Sequence, residues 1–201
     1  MKHNFFFLRN RMTTSIYLAV FMCMSLSLIS CDKLKDATSK DFKVNNVSFK
    51  FIAESKAGAT TTSIGALSTR AAATQSFTVT RTIDISELGS DDVVKYANKI
   101  DAVRINNSLV QVTVNPAGTY TVENLTVTAS GVSGSIVIPT YTTGASFTLT
   151  SDMNTFTSAF IMKLVSAKTV SVTVTGMTDA PVGTTLNISY DSDLLFTASI
   201  F

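Results

Sequence analysis

The 201-residue chain has no tryptophan, one histidine and two cysteines. His3 and Cys23 both fall within the first thirty residues, so the body of the chain keeps a single cysteine, Cys31, and no histidine. Without histidine, that body cannot build a Ser-His-Asp triad, a Cys-His pair or a His-rich zinc or iron site. A lone cysteine also leaves no disulfide, and stability must come from the core. The nine glycines are scattered and form neither usual phosphate-binding loop. Charge is scarce too, at 15% of residues. This excludes a disordered charged tail and a nucleic-acid binder that works by charge, so no nucleic-acid partner is expected.

What the chain does have begins with an N-terminal leader. Lys2, Arg9 and Arg11 form a positive n-region ahead of an apolar stretch from Ile16 to Ile29. That stretch, about fourteen residues, suits a secretion signal and falls short of the ~20 needed to span a bilayer as a helix. Removing the leader's three cations leaves 13 positive against 14 negative charges, which turns the formal +2 into a slightly acidic body.

Leu28-Ile29-Ser30-Cys31 follows directly. It resembles the lipobox of bacterial lipoproteins, with leucine three places before the cysteine and a small residue immediately before it. The resemblance implies that the leader is cut before Cys31 and that the thiol receives a diacylglycerol. An acyl chain such as palmitate would usually follow on the new amino terminus. Acyl chains stabilise membrane attachment by ~0.8 kcal/mol per buried methylene, enough for two or three chains to hold a soluble domain at a membrane. The covalent lipid on Cys31 is the only non-protein group expected; no cofactor and no metal are. The phenylalanine-rich leader, Asp32 after the cysteine and the threonine-rich body resemble envelope lipoproteins of Bacteroidetes-type bacteria. That implies the outer membrane, on its periplasmic face or at the cell surface.

Residues 1–30 are thus expected as signal peptide, 31–41 as a polar lipidated tether, and 42–201 as one domain. In that domain Val47, Phe49 and Phe51 alternate with polar residues, the period of a half-buried strand. Residues 55–75, with Gly58, Gly65 and the run Ala71-Ala72-Ala73, lack periodicity; they are a flexible loop, a weak edge strand or a processing region. Strands follow through Phe77–Ile85, Ile100–Asn115 with a bulge or turn at Asn106-Asn107, and Tyr120–Val127. Further strands fit 135–138, 146–150, 170–174, 186–190 and 194–201. Ser90 and Ser151 read as N-caps of two short helices, the second carrying Phe156, Phe160, Ile161 and Leu164 at helical spacing. Roughly nine strands with frequent turn signals define a mostly β chain, an antiparallel β-sandwich that is Ig-like or a partly closed barrel.

Few residues carry chemistry. Asp84, Glu87, Asp91 and Asp92 could supply a glycosidase-type carboxylate pair, but at a turn and a helix start they suit capping better. Asp191-Ser192-Asp193 offers oxygens to calcium, or simply forms an Asx turn. Tyr141 is the best aromatic platform for a sugar, or a residue closing a sandwich corner. No catalytic residue is therefore assigned and no enzyme is expected.

The first expectation for function is a non-catalytic envelope lipoprotein acting as a binding or assembly module. Its partners are the membrane and an unidentified ligand, a protein or further copies of itself. A second expectation comes from Arg70, in the stretch after the first strand. This layout resembles lipidated pilins, in which cleavage after an arginine frees the first strand and a neighbouring subunit fills the groove. A third is a hydrophobic-ligand carrier, marked by an apolar cavity behind the second helix.

Overall fold

Alternating apolar and polar residues lay down strands wherever one face can be buried, and threonine on the other face suits a pleated surface. The computed structural model describes residues 39–57 and 75–199. These contain eight strands: β1 (Ser39–Glu54), β2 (Gln75–Asp84), β3 (Ile100–Asn115), β4 (Thr121–Ala129), β5 (Ile136–Thr142), β6 (Ser146–Thr148), β7 (Thr169–Thr178) and β8 (Thr185–Ser199). Two α-helices, α1 (Asp91–Tyr96) and α2 (Ser151–Ala167), interrupt them. The leader, Cys31, most of the tether, and residues 58–74 with Arg70 lie outside the described residues. Asp41–Ala198 forms one compact unit, and β1 and β8 run a few residues beyond it.

The strands make two antiparallel four-stranded sheets, ordered β1-β8-β3-β6 and β2-β7-β4-β5, and no closed barrel. Each sheet turns an apolar face inward. Along β8, Leu186, Ile188, Tyr190, Ser192, Leu194, Phe196 and Ala198 are buried in strict alternation. Facing them from the second sheet are Phe77, Val122, Leu125, Ile138, Val170, Val172 and Val174. The outer face of this second sheet is almost uncharged. Register places Thr80, Thr173 and Thr128 in one cross-strand row and Thr78, Thr175 and Thr126 in the next. Thr80 and Thr173 hydroxyls meet at 2.9 Å. Low charge in the sequence thus appears as hydroxyl-covered sheet.

Two expected strands, 186–190 and 194–201, are one continuous strand. Asp191-Ser192-Asp193 is therefore not the tight turn expected; it stays extended because both neighbours pair with it, and Asp191 and Asp193 point outward while Ser192 is buried. The phase change at Asn106-Asn107 is a bulge between Asn106, paired with Asp193, and Leu109, paired with Asp191, with Asn107 at φ 49°. Asn46 in β1 (φ 57°) marks a second phase change, between buried Val44 and Val47. Asparagine tolerates this left-handed geometry better than most residues.

Helix α2 is capped one residue earlier than expected, by Thr150, whose hydroxyl accepts from Met153 N at 3.5 Å. It buries the expected stripe of Phe156, Phe160, Ile161 and Leu164, together with Thr157 and Val165. Ser90 precedes α1 without a side-chain cap bond, although Asp91 and Asp92 occupy the first turn as expected.

Candidate ligand cavity

Helix α2 packs against β3 of one sheet and against β5 and β7 of the other. Large side chains project from three directions here, and they do not fill the space between them completely. An apolar cavity of about 40 Å³ remains, lined by Phe49 and Phe51 from β1, Val110 from β3, Ile188 and Tyr190 from β8, Val127 and Ala129 from β4, Ile136 from β5, Val172 and Val174 from β7, and Phe156, Thr157 and Phe160 from α2. One water needs roughly 10–15 Å³ on this measure, and an apolar cavity tends to stay dry and to accept apolar guests.

Three aromatic rings define one wall. Phe49 stacks on Tyr190 with centroids 6.0 Å apart and an interplanar angle of 15°, and meets Phe160 edge-on at 5.7 Å. Such contacts hold the rings in fixed orientations.

Tyr190 and Thr157 bound the same end, and buried hydroxyls gather there. The β3 bulge turns Ser108 inward, where its Oγ donates to Asn154 Oδ1 of α2 at 2.5 Å. Thr157 Oγ1 donates to Met153 O within the helix at 3.0 Å. Tyr190 Oη and Ser192 Oγ are buried without a hydrogen-bond partner, their residues only 8% and 4% exposed. Burial pushes the Tyr190 phenol up to about 12. The hydroxyls of Ser192, then Thr157, stand near it and oppose that rise. An unsatisfied buried hydroxyl destabilises by roughly 1–3 kcal/mol, so two side by side are unusual in a well-packed core.

Asp193 serves the framework on the outer side of β8. Its carboxylate accepts from Asn46 N at 3.0 Å and from Asn107 Nδ2 at 3.2 Å, tying the irregularities of β1 and β3 together across β8. Those bonds, the Asn46 amide first, hold its pKa below the usual carboxylate value.

The other candidates separate into structural tasks. Asp84 caps the 3₁₀ turn Ile85–Leu88 in a capping box with Glu87, accepting from Ser86 Oγ at 2.6 Å and Ser86 N at 2.8 Å. The Ser86 hydroxyl, then its amide, hold the Asp84 carboxyl below its ordinary value, opposite to what a general acid needs. Glu87 pairs with Arg81 at 2.5 Å, and Arg81 also donates to Lys50 O of β1 at 2.8 Å. None of Asp84, Glu87, Asp91 and Asp92 lines the cavity. Tyr141 is buried and closes a corner: Val112 N donates to its hydroxyl at 3.2 Å, and that hydroxyl donates to Ala145 O. It offers no exposed platform.

Among the described residues no three His, Cys, Asp or Glu side chains gather where they could hold a metal ion, and no helix is long and apolar enough to cross a membrane. Cys31 and Arg70 lie outside the described residues. The α2 stripe was legible in the sequence as one wall of a cleft; Tyr190 and Ser192 were not, because a tyrosine and a serine in an alternating strand look like any inward pair. No protein-family model matches the chain, and no curated protein matches it.

Proposed function

We propose that this chain is a non-catalytic carrier of small apolar molecules, tethered to the cell envelope through lipid on Cys31. The observation that supports it is the apolar cavity between the two sheets, roofed by Phe156 and Phe160 of α2. Packing at crystal density is the rule in protein cores, so a cavity with room for several waters and apolar walls is a place to put something apolar. The lipobox residues 28–31 support the tether, which would place the carrier at the outer membrane, on its periplasmic face or at the cell surface.

Native mass spectrometry of the full chain purified from its own envelope tests the carrier reading. The expected result is a co-purifying apolar molecule at one per chain, absent when Ala129→Leu fills the cavity. A wild-type protein that carries nothing, and takes up nothing when offered short-chain apolar compounds, overturns it. The tether is tested separately. Cys31→Ala, or globomycin treatment, should move the protein from the membrane to the soluble fraction; unchanged attachment would contradict the anchor.

Strand exchange is the second reading. In its favour, β1 is an edge strand that inserts Phe42, Val44, Val47, Phe49, Phe51 and Ala53 into the core, so its removal would leave a long apolar groove. Against it, the intact chain already seats β1 beside β8, and Arg81 and the Lys56–Ser76 bridge fasten it to β2. Exchange therefore requires cleavage near Arg70. Trypsin-like cleavage there, followed by SDS-resistant polymers, is its expected signature; a protein that stays intact and monomeric in the envelope removes it.

A further inference from the structure

Every residue lining the cavity except Val127 is buried, so a guest enters when a covering element moves. The strands that line it are held in their ladders, and β1 is fastened further by Arg81. Helix α2 is tied at both ends. Leu149 N, just before it, donates to Ser108 O at 3.1 Å, Ser108 Oγ donates to Asn154 in its first turn, and Lys168 O, just after it, accepts from Ile85 N at 2.8 Å.

The remaining cover is the loop Ser130-Gly131-Val132-Ser133-Gly134-Ser135 between β4 and β5. Both its ends join cavity walls, since Ala129 immediately precedes it and Ile136 immediately follows. It lies along α2. A Cβ at Gly134 would stand 3.9 Å from Cδ2 of Phe156, a third wall, and one at Gly131 would stand 3.0 Å from Lys163 Cε. Within the loop Val132 alone is not exposed; it is partly buried and packs on the core. Gly131 and Gly134 flank it at φ 72° and 87°, where glycine turns without steric penalty.

We infer that this loop is the flap of the cavity, with Val132 as its stopper and Gly131 and Gly134 as its hinges. This rests on the carrier reading and adds to it the route by which a guest passes. Opening costs little, because one half-buried valine leaves the core while the ladders and α2 stay in place. Val132 is not a cavity wall, so the flap sets the rate of exchange and leaves the affinity to the lining residues.

The test dissolves xenon into the full-length protein at part saturation. Relaxation dispersion of the methyl groups of Val110, Ile136, Val172 and Ile188 reads its entry and exit rates. Val132→Ala should raise both rates together by about fourfold at unchanged affinity, the effect of about one buried methyl group lost from the closed flap. Gly134→Ala strains the closed loop at φ 87° and should act in the same direction, which keeps the test open if Val132→Ala folds poorly. Val182→Ala, at an exposed valine in the turn before β8, should leave both rates unchanged.

Rates unchanged in both flap variants, or raised more by Asn154→Ala, which frees α2 from Ser108, overturn the flap and leave the carrier reading standing. A Val132→Ala variant that binds xenon more weakly with unchanged entry makes Val132 a wall rather than a stopper and overturns the flap too. Lining methyl shifts that ignore xenon in the wild type overturn the carrier reading and the flap together.

Discussion

Tyr190 is where the chemistry of single residues is most exposed to measurement. Its hydroxyl is buried and unpaired, so Tyr190→Phe removes a desolvation penalty without removing a bond. In the unliganded protein this substitution should leave stability unchanged or raise it by about 1 kcal/mol in urea unfolding; a loss of more than about 1 kcal/mol would mean that the hydroxyl is satisfied after all. The same residue sets a pH window. The unfolded phenol releases its proton near 10.0, whereas the folded one holds it to about 12. Folding is therefore favoured by the neutral phenol, its contribution is fully present below pH 10, and about 2–3 kcal/mol is lost as pH rises from about 10 to about 12. Alkaline unfolding of the wild type should be steeper over that range than that of Tyr190→Phe. Equal slopes would argue against the burial.

At the scale of elements, close packing between strands gives the sharpest expectation. Phe77 of β2 lies opposite Gly176 of β7, and its ring covers the glycine so closely that an added Cβ would stand 2.5 Å from Phe77 Cζ. Gly176→Ala must displace a ring that is 1% exposed, and should destabilise by about 1–3 kcal/mol in chemical denaturation. A neutral effect would show that the ring moves freely. Elements were also the level at which the sequence was easiest to read. Alternation in β1 after Asn46, in β2 and over Val170–Val174 of β7, and the 3.6-residue stripe of α2, each name the buried face directly. Asp191-Ser192-Asp193 misled because turn formers in isolation suggest a turn, while here β1 and β3 pair along both sides of β8 and keep it extended. The bulge at Asn107 was visible as a change of phase; that it would carry Ser108 to Asn154 of a helix 46 residues away was not. Pairing between distant segments leaves no local signal. For the same reason the Phe156–Leu164 stripe announced a buried helix face but not which strands would complete a cavity around it.

For the whole molecule, three features combine: uncharged threonine rows outside one sheet, an apolar cavity between the sheets, and Cys31, the proposed lipidation site, ahead of β1 in the sequence. The threonine rows explain how a chain with 15% charged residues presents a polar exterior. A lipid on Cys31 would hold this body at a membrane while the cavity takes a guest. The guest is the central claim, and its most direct test is a crystal of the full chain pressurised with xenon, a probe that occupies dry apolar cavities without needing a polar contact. One xenon site among Phe49, Val110, Phe160 and Ile188 in the wild type, lost in Ala129→Leu, is the expected result. No xenon density between the sheets of the wild-type protein would contradict it.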